Sequence, residues 1–232
     1  MDPHYRILFI GNSHTYYNDL PLVTADLFEA LCPGTRMVPV MIAHPGRLLE
    51  EHRWEPEVRF NVLHGQYDWV VLQQGAHPFP GLSTLMEDGA ALAAQARQAG
   101  AEPIAYMTWS EARFPEKQAD MTHAYLEFGK SRQVCVCPVG SVWDSVRRLN
   151  PDIPLYDEDG EHASPTGSFL AACTFALMLS HTVHVKAGQT PTAEQLDTIL
   201  AHAGPAYGIP RYTAELIASR AQSILRESGL LG

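Results

Sequence analysis

Two short segments, far apart in the chain, carry residue types that could together perform nucleophilic catalysis. In Gly11-Asn12-Ser13, a serine follows a glycine at the end of an apolar run. In Asp159-Gly160-Glu161-His162, a histidine follows an aspartate by three residues. A hydroxyl needs an adjacent base to act as a nucleophile, and a carboxylate on Nδ1–H can hold that base in one tautomer. Taken alone, the first segment is more typical of a helix-capping turn and the second of an acidic surface loop.

The rest of the chain alternates short apolar runs with segments of helical period. We predict five strands, at 6–11, 37–43, 67–73, 103–109 and 134–139. We predict helices at 21–31, 46–54, 82–99, 116–128, 142–149, 166–180, 193–201 and 212–226. Apolar strands separated by helices favour a parallel sheet covered on both faces, in a flavodoxin-like three-layer α/β/α sandwich. We expect one domain over 1–232, with a C-terminal helical extension from about residue 190.

The two segments resemble the first and last sequence blocks of the SGNH (GDSL-type) hydrolase family. Asn12 stands where that family usually has aspartate, and Asp159 and His162 are similar to its Asp-x-x-His. The resemblance covers about 6–180. It implies the SGNH hydrolase fold, with Ser13 as the nucleophile, His162 as the base and Asp159 as the residue that orients it. Asp157 is the alternative orienting residue, although its spacing from the histidine does not match.

The resemblance also implies an oxyanion hole. Backbone N–H groups of Ser13 and of Gly46, after the second strand, would contribute to it. The family usually supplies a third donor from an asparagine after the third strand, but this chain has Gln73 and Gln74 there. A glutamine amide carries the same donor group on a longer arm. We favour Gln74, then Gln73, then His77.

Four residues are candidates for substrate binding. Asn12 and His77 are expected beside the proposed nucleophile. Trp109 and Arg113 follow the fourth strand at the same edge of the sheet, and Arg113 could contact an acidic substrate group. The acidic residues at positions 157, 158, 159 and 161 favour a neutral or cationic substrate instead.

Composition excludes several classes of partner. The 232 residues include 16 Lys+Arg and 26 Asp+Glu, for a formal net charge of −10. Nucleic acid and anionic membrane surfaces are therefore not expected as partners. The N-terminus has no signal-peptide pattern, and the most apolar stretch, 169–179, is shorter than the ~20 residues of a membrane span. We therefore expect a cytoplasmic protein; the sequence does not indicate its oligomeric state.

These observations predict a serine esterase that cleaves a small ester through an acyl-enzyme, without a metal or organic cofactor. The substrate could be an acetylated sugar or another metabolite. An acyltransferase would use the same three residues. A different class is a non-catalytic, flavodoxin-like module that binds a phosphorylated ligand with residues 12–15. A degenerate hydrolase fold used only for binding is a further alternative, because the family's asparagine is missing.

Overall fold

A parallel sheet forms the centre of the fold in residues 4–231, the part of the chain that the computed structural model describes. Its five strands are β1 (His4–Gly11), β2 (Arg36–Ala43), β3 (Trp69–Leu72), β4 (Glu102–Tyr106) and β5 (Cys135–Cys137). Their order is β2-β1-β3-β4-β5, which is the flavodoxin-like order. The predicted five-stranded parallel sheet is confirmed. Residues 1–3 and 232, the ends of the predicted domain, lie outside the described residues.

Helices follow the strands along the chain. They are α1 (Ser13–Tyr16), α2 (Leu20–Leu31), α3 (Leu49–Trp54), α4 (Pro56–His64), α5 (Leu82–Thr84), α6 (Ala90–Gln98), α7 (Lys117–Arg132), α8 (Val139–Leu149), α9 (Pro165–Lys186), α10 (Ala193–Ala203) and α11 (Arg211–Glu227). A π-helical turn, Leu85–Gly89, joins α5 to α6, so the long helix predicted at 82–99 is interrupted.

Side chains alternate between the two faces of the sheet along each strand, and helices cover both faces, so the sheet is buried on each side. Ile7 and Phe9 of β1 belong to one apolar core, which includes residues of α2, α8, α9, α10 and α11. Leu8 and Ile10 belong to the other, with residues of α3, α4, α6 and α7. This is the predicted three-layer α/β/α sandwich, and the helices after residue 190 contribute to the first of its two cores.

Helix α9 is the central helix of the first core. Its Phe175 packs edge-on against Phe9 of β1 and Tyr106 of β4, with ring centroids 5.7 and 5.0 Å apart. By length and composition this 22-residue helix could cross a membrane, but 78% of its most apolar window is buried inside the fold. It is therefore a core helix. The prediction ended this helix at residue 180 because its last turns are partly exposed and lose the apolar pattern, whereas the helix continues to Lys186.

Helix α4 was not predicted. Only Val58 and Val62 are buried among its nine residues, one turn apart on one face. The other side chains meet solvent at least in part, so the segment shows little helical periodicity. Pro56 in the first turn favours a helix start at this point.

The end of β1 requires a glycine. A Cβ added to Gly11 would lie 2.4 Å from Gln73 Oε1 and 2.4 Å from Thr15 Oγ1. The Gln73 oxygen accepts hydrogen bonds from the Asn12 N–H at 2.8 Å and from the Thr15 hydroxyl at 2.9 Å. The buried Gln73 amide therefore joins the chain after β3 to the turn after β1.

We predict that Gly11→Ala destabilises the fold by about 1–3 kcal/mol, because the added methyl group must displace the Gln73 amide or the Thr15 hydroxyl. The free energy of unfolding, from urea denaturation followed by circular dichroism, measures this effect. An unchanged denaturation midpoint would show that the turn adapts without loss.

Candidate active site

Ser13 lies at the carboxyl end of β1, where it begins the short helix α1. The Asn12 side chain caps this helix, since its Oδ1 accepts from the His14 N–H at 3.1 Å. Its Nδ2 donates to the Arg47 carbonyl at 3.0 Å and ties the turn to the loop after β2. Both polar atoms of the Asn12 side chain are therefore occupied, although the residue lines the cavity around Ser13.

Ser13, His162 and Asp159 form a continuous hydrogen-bonded chain. The Ser13 Oγ and His162 Nε2 atoms are 2.8 Å apart. The His162 Nδ1 and Asp159 Oδ2 atoms are 2.5 Å apart. With Nδ1–H donating to the carboxylate, Nε2 is free to accept the serine proton. The arrangement has the geometry of a nucleophile, a base and an orienting carboxylate.

The Asp159 carboxylate is held in its ionised form. Its other oxygen, Oδ1, accepts from the backbone N–H groups of Glu161 and His162 at 2.8 and 2.9 Å. Partial burial raises the pKa of Asp159, but the hydrogen bonds from the His162 ring and from these two N–H groups outweigh it and lower the pKa to about 2. The carboxylate can therefore stabilise a protonated His162 ring at neutral pH.

Asp157 is placed differently. Its carboxylate Oδ1 accepts from the Glu158 N–H at 2.9 Å, and its own N–H donates to the His162 carbonyl at 2.9 Å. Asp157 thus shapes the backbone of the loop between α8 and α9, residues 150–164, here called the histidine loop, while Asp159 contacts the imidazole. The alternative assignment of Asp157 as the orienting residue does not agree with this geometry.

Trp109 hydrogen-bonds to the backbone of the histidine loop. The Trp109 Nε1–H donates to the Glu161 carbonyl at 2.9 Å. Its ring is 1% exposed and stacks on Trp143 of α8, with ring centroids 3.9 Å apart. The structure therefore corrects the expectation that Trp109 lines the substrate pocket, because this stacking turns the ring into the core.

Asn18 and Tyr17 connect the segment that follows Ser13 to the histidine loop. Asn18 adopts a left-handed conformation with φ of 53°, and its Nδ2 donates to the Ala163 carbonyl and to Ser168 Oγ, each at 2.9 Å. The Tyr17 ring stacks on the His162 ring with centroids 4.2 Å apart. Sequence reasoning missed both residues; Asn18 is a residue type that tolerates positive φ, but only the fold shows what it contacts.

His52, also missed, holds the backbone just before the proposed nucleophile. It is fully buried, and its Nε2 donates to the Gly11 carbonyl at 2.8 Å. Its Nδ1 lies 3.0 Å from Glu55 Oε2, and Glu55 also pairs with Arg47. The spacing of His52 and Glu55 on one helical face was the available signal.

Two backbone N–H groups remain candidates for an oxyanion hole. Ser13 and Gly46 both line the cavity, and Gly46 has the positive φ, 67°, that favours glycine. Gln73 is fully buried and is not among the described residues that line the cavity; its Nε2 donates to the Gln74 carbonyl, and its Oε1 accepts from the Asn12 N–H and the Thr15 hydroxyl.

Gln74 also faces the interior. Its Oε1 accepts from the N–H groups of Leu49 and Gly75 at 3.0 and 2.8 Å, and its Nε2 is buried without a partner in the described part of the chain. Gln74 is absent from the described residues that line the cavity, whereas Gly75 is among them. The expectation that a glutamine amide supplies the third donor is therefore not supported by these placements.

His77 lines the cavity, but its tautomer makes it an acceptor there. Its Nε2–H donates to the Trp109 carbonyl at 3.0 Å. Burial lowers the pKa of His77, so the ring is neutral at neutral pH and its Nδ1 carries no proton. His77 thus cannot donate to an oxyanion, although it remains a candidate for substrate binding.

The cavity beside Ser13 has a volume of about 690 Å³. Its described lining includes aromatic, proline and histidine side chains and two carboxylates, those of Glu51 and Glu161, but no Lys or Arg. Arg113, predicted to line it, is exposed and pairs with Glu111 at 2.6 Å. Larger cavities elsewhere, of about 920 and 730 Å³, contain none of Ser13, His162 and Asp159.

No protein-family model matches the chain, and no curated protein matches it. Solved structures do match its fold. A DUF4886 family protein from Bacteroides uniformis has a TM-score of 0.70 at 17% identity, over 95% of both chains. The acetylxylan esterase Axe2 from Geobacillus stearothermophilus has a TM-score of 0.59 at 15% identity, over 78% of this chain and 96% of that chain. A candidate GDSL-like lipase from Parabacteroides merdae has a TM-score of 0.58 at 17% identity, with the same coverage. The chain therefore has the α/β fold of these structures.

We predict that Asp159→Asn lowers the reactivity of Ser13 toward a fluorophosphonate by up to about 10⁴-fold. Asparagine Oδ1 can keep the two backbone hydrogen bonds, but its Nδ2 donates toward His162 Nδ1 and favours the wrong tautomer. Asp157→Asn is the matched control and should retain most of the reactivity. Equal loss in both variants would contradict the role of Asp159.

We predict that Asn18→Ala lowers the rate of Ser13 phosphonylation by about 10–100-fold, because it frees the Ala163 carbonyl beside His162. Asn18→Gly, which keeps the left-handed backbone but not the amide, should show the same loss. Mass spectrometry of the labelled protein measures both rates. Unchanged rates in both variants would show that the amide does not position His162.

Proposed function

We propose that the protein is a serine esterase that hydrolyses a small, uncharged ester through an acyl-enzyme. The observation that carries this proposal is the hydrogen-bonded chain from Ser13 Oγ through His162 to Asp159, with distances of 2.8 and 2.5 Å. The fold likeness to structures described as an acetylxylan esterase and a GDSL-like lipase supports the same reaction class.

The proposed reaction begins when Ser13 Oγ attacks the ester carbonyl carbon while His162 Nε2 takes the hydroxyl proton. The tetrahedral intermediate places a negative charge on the former carbonyl oxygen. When the bond to the alcohol breaks, His162 gives its proton to the leaving oxygen. A water molecule, deprotonated by His162, then attacks the acyl group and releases the acid and Ser13.

The N–H groups of Ser13 and Gly46 are proposed to stabilise the oxyanion. The Gln73 and Gln74 side chains are fully buried, and neither is among the described residues that line the cavity, so the proposed hole lacks the side-chain donor that the family resemblance implied. One missing donor corresponds to about 10²–10³ in rate. We therefore expect a slow esterase on simple substrates.

The cavity supports the choice of substrate class. Its volume of about 690 Å³ suits a small molecule. Its described lining has two carboxylates and no basic side chain, which favours an uncharged ligand over an anionic one, although Arg47 and Arg113 lie 3.9 and 3.6 Å from Glu51 and Glu161 and offset part of their charge. A phosphorylated ligand is disfavoured for the same reason, since the described lining offers no basic side chain. The binding-module alternative also leaves the contact between Ser13 and His162 without a role.

We predict that Ser13→Ala and His162→Ala each lower kcat for p-nitrophenyl acetate by about 10⁴–10⁶-fold, since each removes a member of one catalytic unit. The fold should persist, as judged by circular dichroism. Ser131→Ala and His123→Ala, both on α7, are the matched controls and should retain activity.

Labelling with a fluorophosphonate tests the proposal without a known substrate. Mass spectrometry should locate the label on Ser13, and His162→Ala should abolish it. Retained esterase activity in Ser13→Ala, or a label on another serine, would refute the assignment. Product analysis with an added alcohol separates hydrolysis from acyl transfer, because a transferase forms the new ester.

A further inference from the structure

His14, the residue after the proposed nucleophile, has a side chain that the mechanism above does not use. It is 8% exposed and lines the cavity beside Ser13. Its ring centroid lies 4.8 Å from that of His77, 5.1 Å from that of His162 and 5.2 Å from that of Trp109. The imidazole thus stands within the site, next to the base.

Both nitrogens of the His14 ring are buried, and neither has a hydrogen-bond partner of good geometry among residues 4–231; the Glu161 carbonyl acts on the ring only as a weak acceptor. Buried polar atoms in native proteins are nearly always paired, because an unpaired one loses its hydration without compensation. A ring with at most one weak hydrogen bond beside a proposed nucleophile points to a ligand group that completes the hydrogen bonding.

The charge state of His14 defines which ligand groups fit. Burial, followed by the neighbouring His77 and His162 rings, lowers the pKa of His14 to about 3; the Glu161 carbonyl and the Asp159 carboxylate act in the opposite direction without reversing this. The ring is therefore neutral in any ordinary assay. A neutral imidazole offers one N–H donor and one bare nitrogen acceptor, and a hydroxyl group can satisfy either of them.

The position beside His162 indicates which part of the ester is contacted. In the proposed reaction His162 Nε2 protonates the leaving alcohol, so the alcohol portion must lie near the His162 ring. His14 is adjacent to that ring, on the cavity lining. The alcohol portion is therefore within reach of His14.

We propose that His14 is a specificity-determining residue that hydrogen-bonds a free hydroxyl group on the alcohol portion of the ester. The inference rests on the proposed esterase function and deepens it. It assigns the substrates to hydroxylated esters, such as partially acylated polyols, in preference to plain alkyl esters.

The test compares 2-hydroxyethyl acetate with propyl acetate, which differ by a hydroxyl in place of a methyl group. Acetate release gives kcat/KM for each ester, divided by its rate of hydrolysis by hydroxide to remove intrinsic reactivity. The wild-type protein should prefer the hydroxylated ester by about tenfold or more, because the plain ester leaves His14 unpaired. His14→Phe should reduce this preference to about one, and His14→Gln, which keeps a donor and an acceptor, should restore part of it.

His184→Phe is the matched control for replacing a buried histidine. His184 is 5% exposed and lies near the other end of α9, about 28 Å along the helix from Pro165. This variant should keep the preference. Equal hydrolysis of both esters by the wild-type protein, or an unchanged preference in folded His14→Phe, would overturn the inference alone. Hydrolysis of neither ester, together with no phosphonate label on Ser13, would instead refute the proposed function and with it the inference.

Discussion

The packing of α9 against the sheet determines where the histidine loop lies. Phe175 of this helix sits over β1 and β4, and the helix begins three residues after His162. Ser164 caps its first turn and donates to the Pro154 carbonyl at 2.5 Å, which anchors both ends of the loop. The burial of one apolar helix therefore brings His162 to the carboxyl edge of β1, although 149 positions separate it from Ser13.

Around the contact between Ser13 and His162, buried polar side chains form hydrogen bonds mainly with backbone groups. Gln73 joins the turns after β1 and β3, His52 holds the Gly11 carbonyl, and Trp109 holds the Glu161 carbonyl. Each bond is made by a side chain shielded from water, where a lost partner is costly. Together they restrain the backbone near Ser13 and His162, where a displacement of about 1 Å can cost about 10²-fold in rate.

The same need to pair buried groups explains why this site departs from the oxyanion hole that the family resemblance implied. The amide oxygens of Gln73 and Gln74 accept from backbone N–H groups and, for Gln73, from a threonine hydroxyl at the edge of the sheet, and both side chains are fully buried away from the described lining of the cavity. His77 is neutral, and its buried Nδ1 carries no proton. The cavity lining instead includes Ser13 and Gly46, whose backbone N–H groups are candidate donors, and the buried imidazole of His14.

The sequence by itself determined the layered α/β/α architecture and the five parallel strands, because apolar alternation and run length are local signals that follow directly from burial. It also indicated Ser13, Asp159 and His162 as a group, since their order and spacing are specific. Only the tertiary structure decided what Gln73, Gln74 and Trp109 do. The orientation of an amide or an indole depends on partners that lie far away in the chain, and no local pattern records them. Helix α4 escaped prediction for a related reason, because only two of its side chains are buried and its packing comes from residues elsewhere in the fold.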